Sequence, residues 1–198
     1  MANRIAAMRV LADILAEEEF EKKSNGRGGF YMGDWEVTPS KLPDEIVGDD
    51  FTLKAGVSPH LCGTTLCAAG FATLNAGWSI KYERIVDKYT GRQMGVSATY
   101  YDPQGAIGKP EWRSVGAEYL GLGGLEAKVL FYSTDDHGEQ AIEILERLAM
   151  GEDIPTEEWV RYGVEHSIDM EGFGYDSDGS LIDEDYDYNE GCDCSICQ

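Results

Sequence analysis

Basic residues are scarce in this chain. Only 16 Lys and Arg stand against 37 Asp and Glu over 198 residues, for a formal net charge of −21. Direct binding to nucleic-acid phosphates or to anionic lipid is therefore disfavoured, because like charges repel over a Debye length of about 8 Å at cellular salt. Long apolar runs are missing too: nothing in the sequence reaches the roughly 18 consecutive apolar residues that a membrane span requires. The opening MANRIAAMRVLADILAEEEFEKK breaks its apolar residues with charges and does not have the form of a signal peptide. Cysteine is sparse, and its count of five is odd. That argues for a reducing compartment, with thiols free or bound to metal, so a cytoplasmic protein is expected. There are no internal repeats.

What is present is a globular composition, 42% hydrophobic with 11% aromatic residues, enough to bury a core in one domain of ordinary size. The acidity is not spread evenly. Residues 151–198 hold fifteen Asp or Glu and one basic residue, Arg161, whereas the first 150 residues hold 22 acids and 15 bases. From Glu165 to Asp193 there are eleven acids and no Lys or Arg. The expected organisation is one domain over residues 1–164 and an acidic tail over 165–198 that ends in Cys192, Cys194 and Cys197. High-salt adaptation would spread the acids more evenly than this.

Residues 3–22 read as an amphipathic helix. Ile5, Met8, Leu11, Ala12 and Leu15 recur at three- and four-residue spacing as its buried stripe, with Glu17–Glu19 and Glu21 facing water. Phe30–Val37 is aromatic and β-branched enough for a short strand. In HLCGTTLCAAGFATLNAGW, Thr64 or Thr65 can cap a helix that buries Leu66, Ala69, Phe71 and Leu74. Ile80–Val86 and Met94–Tyr101 predict a hairpin. Helices follow from Ser114 to Leu120, over Leu125–Tyr132 and over Glu139–Met150, and a last one starts at Pro155 with Thr156 as its cap. The fold class is α+β: several helices packed on a small antiparallel sheet, with an acidic C-terminal extension.

Three pieces carry a resemblance. They are Phe30-x-Met32-x-x-Trp35; Cys62-Gly63-Thr64-Thr65-Leu66-Cys67 running on to Ala68, Ala69, Gly70, Phe71 and Ala72; and Leu120-Gly121-Leu122 with Glu126-Ala127 and Leu130-Phe131. In this order they resemble a group of small uncharacterised proteins encoded by bacteriophages and, occasionally, by bacterial genomes. The resemblance spans roughly residues 28–150 and leaves the tail outside. It implies a phage accessory gene and a shared small fold, and it transfers no activity.

Several constellations could carry chemistry. Cys67, placed in the first turn of a helix, would see the positive end of the dipole, which favours thiolate. His60 could then serve as a base and Cys62 as a resolving thiol. The same cysteines, beside Ala and Gly, also suit close packing. Cys192, Cys194 and Cys197 present C-x-C and C-x-x-C spacings that zinc thiolate sites use. A fourth ligand would have to come from His166, Cys67, Cys62 or His60; otherwise these are incidental thiols of a loose end. Around Gly179, the acids Asp176, Asp178 and Asp185 echo a calcium loop, but Gly174 holds the first ligand position and the last is not Glu. LGLGGL over residues 120–125 has neither the preceding strand nor the Lys-Ser/Thr of a phosphate loop.

Acids interleaved with tyrosine remain: Asp176, Asp178, Asp183, Glu184, Asp185, Tyr186, Asp187 and Tyr188. Carboxylates steer a basic partner and rings supply buried area. The expectation is a non-enzymatic phage accessory protein that binds a basic host or viral protein, such as a DNA-binding protein, in one version as a nucleic-acid mimic. A metal or thiol protein with zinc, and a virion structural component, are the alternatives.

Overall fold

The computed structural model describes residues 2–24, 29–32, 35–132, 138–166, 168–175 and 179–180. It is an α+β fold with six helices and two small antiparallel sheets among those residues. In chain order the elements are α1 (Arg4–Ser24), β1 (Glu36–Val37), β2 (Asp50–Leu53), β3 (Thr65–Leu66), α2 (Ala68–Asn75), β4 (Ser79–Val86), β5 (Gln93–Tyr101), α3 (Trp112–Leu120), α4 (Gly124–Phe131), α5 (Glu139–Met150) and α6 (Thr156–Glu165). Among the described residues no helix is long and apolar enough to cross a membrane.

The sheets follow from alternation and turn chemistry. In β4, Ile80 and Tyr82 point inward while Glu83 points out, the period of two that a half-buried strand imposes. β4 and β5 pair antiparallel, with Ile80 opposite Tyr100 and Tyr82 opposite Ala98. Asp87 closes the turn by accepting from the backbone N–H groups of Tyr89 and Thr90, and Gly91 supplies a positive φ of 68°. β2 completes the three-stranded sheet against β4. The second sheet is smaller. β1 pairs with β3, and Phe30 forms a parallel bridge to Leu66, so among the described residues of the strand expected over Phe30–Val37 the pairing is made by Phe30 and by Glu36–Val37.

The core lies where α2 is enclosed. Residues 68–74 of α2 are buried without a break, as a helix pressed from several sides must be. Gly116 of α3 admits this closeness: a β-carbon there would meet the Phe131 ring at 3.1 Å and Ala72 at 3.3 Å. α5 turns Ala141, Ile144, Leu145 and Leu148 inward and ends at Gly151 in the left-handed region. Packing continues past α6, where Met170 is buried with its thioether against Gly163.

Three local expectations are corrected. α1 is a helix, but it buries Ala6, Ala7, Val10 and Ile14, and the bulkier stripe at Ile5, Met8, Ala12 and Leu15 faces outward. The small residues win because α1 lies against both α5 and α2, and close approach of helices favours Ala over Met. Glu17 shares the buried face and does not face water. Thr65 and Leu66 form β3, so the helix after them starts at Ala68 with Cys67 as its N-cap; likewise Pro155 precedes α6 as its cap, and Thr156 is its first residue.

Candidate functional site

Of the residues singled out from sequence, Cys192, Cys194, Cys197, Asp176, Asp178, Asp183, Glu184, Asp185, Tyr186, Asp187 and Tyr188 lie outside the described residues. Among the described residues no cluster of three or more His, Cys, Asp or Glu is arranged to hold a metal ion. Cys62, Cys67 and His60 are all placed, and they separate into inside and outside. Ser58, extended at φ −71° and ψ 126°, and Pro59 open a 3-10 turn over Pro59–Cys62, which Gly63 closes at φ 79°. A turn of three residues per revolution sends His60 to the surface side and Cys62 inward.

Cys62 is fully buried; its thiol donates to the Pro59 carbonyl at 3.2 Å, and its sulfur lies 3.3 Å from the Thr64 hydroxyl, which can donate to it. Burial pushes the thiol pKa up, against a smaller lowering by the Thr64 hydrogen bond, so at neutral pH Cys62 is a packed thiol and a weak nucleophile. Cys67 is also buried, at the N-cap of α2 in extended conformation (φ −82°, ψ 177°).

His60 is committed elsewhere. Its Nδ1 lies 3.0 Å from Glu17 Oε2 and 2.6 Å from Ser58 Oγ. Its ring stacks on Phe20 with centroids 3.3 Å apart and planes 11° from parallel. Glu17, only 2% exposed, also accepts the Gly29 backbone N–H at 2.9 Å and the Ser58 hydroxyl in a short hydrogen bond. A carboxylate offers acceptors only, so each of these three partners must donate to it. Nδ1 therefore carries its proton, and the lone pair of neutral His60 resides on Nε2. Gly29 is required here, since a β-carbon would come within 2.5 Å of Glu17 Oε2 and 2.8 Å of Pro59 Cβ.

The cluster forms one wall of a cleft of about 390 Å³ between the C-terminal half of α1, residues 54–60 and the edge of α2, with Asp13, Lys54, Phe71 and Leu74 around it. The residue types echo a Ser-His-acid triad, but the geometry does not. In a relay the hydroxyl and the acid engage opposite ring nitrogens. Here both meet Nδ1, so Ser58 cannot pass its proton through the ring to Glu17. What the arrangement provides is a buried acceptor that locks α1 to the 58–60 turn and a histidine with fixed tautomer at a cleft.

A second carboxylate does similar work on the other side. Glu36 accepts from Thr38 Oγ1 and the Tyr82 hydroxyl at 2.8 Å each, and from the Tyr100 hydroxyl at 2.9 Å. Desolvation, reinforced by the Glu36 charge, pushes Tyr82 well above the ordinary phenol range and Tyr100 up to about 12. Neither Glu17 nor Ser58 stands out in the sequence. The only signal is positional: Glu17 continues the face of Val10 and Ile14 at the four- and three-residue steps of a helix. Comparison with protein families, with curated proteins and with solved structures returns no match to this chain.

Proposed function

We propose that this protein is a non-enzymatic accessory protein that binds a basic partner, a DNA-binding protein being the leading class, through its acidic surface and acidic C-terminal segment. One observation carries the reading: 37 acids stand against 16 cations, and several of those cations are already engaged by the molecule's own acceptors. Arg4 donates to the Ala149 carbonyl, and Arg84 to the carbonyls of Pro43 and Ile46. Lys128 donates to the Asp169 carbonyl. Lys81 lies between Asp50 and Glu83, and Arg147 between Glu152 and Glu158. With 37 acids in the chain, the field left to face a partner is strongly negative, which speeds encounter with cationic surfaces and repels anionic ones. The buried state of Cys62 supports binding over thiol chemistry. The resemblance to phage-encoded proteins supports an accessory role in a host cell, where carboxylates standing in for phosphates would occupy a nucleic-acid site.

The test uses immobilised protein and the heparin-binding fraction of host proteins, which is enriched in basic surfaces. Retention should be strong at low salt and collapse with rising salt. Neutralising the acids among residues 176–190 to Asn and Gln should abolish it. Equal retention by the neutralised chain would overturn the reading.

A further inference from the structure

The three-stranded sheet has two edges, and they are not alike. β2 is four residues long, begins at Asp50 and is flanked by Asp49 and Lys54. Brevity and charge of that kind keep an edge from pairing with another chain. β5, the other edge, runs for nine residues without a charge or a proline. Gly108 donates to the Tyr100 carbonyl at 3.1 Å, so Tyr100 turns its backbone groups away from β4. The alternation of an antiparallel strand turns those of Ala98 and Val96 the same way, and no backbone group beyond the sheet bonds to either residue. We propose that this open edge is a self-association site, on which β5 of a second copy pairs antiparallel about a two-fold axis through Ser97.

The register selects a second copy as the occupant. The open stretch is closed at one end by the bulge where Met94 has no partner on β4. At the other end the Gly108 bond and the Tyr101–Ile107 bridge already cover the edge. What lies between, residues 95–99, is centred on Ser97. Turned about that centre, Val96 of one copy faces Ala98 of the other, and each such pair exchanges two hydrogen bonds, so every open group is met. The rotation also lays the Met94 end of each strand on the Ile107 end of the other. These two large apolar side chains are 71% and 74% exposed in the single molecule. Charge matches in the same way. Arg92 flanks the edge at one end, Asp102 and Lys109 at the other, so the rotation carries Arg92 to the end that holds Asp102. On the outer face, Glu83 opposite Ser97 is held by Lys81. The acids at this edge therefore all have a cation to face, and the closed symmetry stops association at two.

A few paired residues per copy fall well short of the roughly 20–30 on each side of a stable interface, so the pair is weak and reversible. Each copy also brings a charge of −21. Screening that overall repulsion strengthens the pair, so salt acts here in the direction opposite to its effect on a basic partner. No partner enters the test, and the two proposals succeed or fail separately.

Two measurements on the full chain test the inference. In a chain carrying Cys192→Ser, Cys194→Ser and Cys197→Ser, the further change Ser97→Cys puts a thiol on the axis, where facing α-carbons stand about 4.5 Å apart and a disulfide fits. Mild oxidation should give a reducible dimer of twice 21.8 kDa. Thr99→Cys in the same chain is the control. Four residues, about 13 Å along the strand, separate it from its equivalent, too far to bridge, so its dimer should form at least about tenfold more slowly. Sedimentation equilibrium of the native chain under reducing conditions should show the mass climbing with concentration, and further at about 0.5 M salt. Ser97→Glu sets like charges opposite each other and should associate at least about tenfold more weakly. Unchanged far-ultraviolet circular dichroism spectra verify the folds of the variants. The proposal is overturned if Ser97→Cys does not cross-link or Thr99→Cys cross-links as fast. It is equally overturned if the native chain stays at the monomer mass at both salts, or if Ser97→Glu associates as well as the native chain.

Discussion

Replacing Glu17 separates its role as a hydrogen-bond acceptor from its role as a charge. In Glu17→Leu the volume is roughly kept, but the Gly29 N–H, the Ser58 hydroxyl and the His60 Nδ1–H all lose their acceptor. Gly29 is buried, so its orphaned donor costs about 1–3 kcal/mol. Ser58 and His60 are half-buried and can recruit water, which limits each to about 1 kcal/mol. The sum is about 3–5 kcal/mol, a large share of a typical domain stability of about 5–15 kcal/mol. At about 2–4 °C per kcal/mol for a chain of this size, the melting temperature should fall by about 10 °C. Glu17→Gln is different. Its oxygen can take the Oε2 position and accept from Gly29 and His60, while its NH₂ donates to Ser58 Oγ, which accepts equally well. The loss should then be about 1 kcal/mol or less. Urea unfolding followed by tryptophan fluorescence measures both variants, with Glu21→Gln on the exposed face as a control expected within about 0.5 kcal/mol. If the Leu variant is as stable as the native chain, the cluster contributes nothing; if Gln is as damaging as Leu, charge and not acceptance is what matters.

Gly29→Ala forces a β-carbon against Glu17 Oε2 and Pro59 Cβ and should cost about 1–3 kcal/mol by the same urea assay; a stabilising effect would contradict the close approach. In a spectrophotometric titration Tyr100 should remain protonated until about 12, and Glu36→Gln should lower that value only partway towards 10.0, because desolvation is the larger cause. Since the folded-state pKa is the raised one, this group's contribution to stability is full below pH 10 and declines as pH rises towards 12. A thiol reagent applied to folded protein should leave Cys62 and Cys67 unmodified and label both once denaturant is added. Labelling of either in the folded state would reopen the thiol chemistry.

The β4–β5 hairpin and helices α3 to α6 are legible in the sequence because local signals agree with the global fold there. Strand alternation, the Asp87–Gly91 turn and the stop at Gly151 all point the same way. α1 shows where such reading fails. It has two stripes of helical period, and bulk favours Ile5, Met8 and Leu15, but only the packing against α5 and α2 decides that the alanine-rich side goes inward. The Glu17–Ser58–His60 cluster was closed to sequence reading for a related reason. Its members stand up to 43 residues apart, and no spacing rule joins a helix to a distant 3-10 turn. His60 stood out beside Cys62 and Cys67 in the sequence, yet the turn that carries it points its ring the other way.

Glu36 has a consequence for how the hairpin is built. The phenols it holds come from different strands, Tyr82 on β4 and Tyr100 on β5, and both lie on the same face because Tyr100 sits opposite Ile80. A slip of β5 by one residue would carry Tyr100 to the far face and out of reach of the carboxylate. A side chain from the other sheet thus checks the alignment of two strands it never pairs with: a misaligned hairpin forfeits the Tyr100 hydrogen bond together with the inward packing of β5.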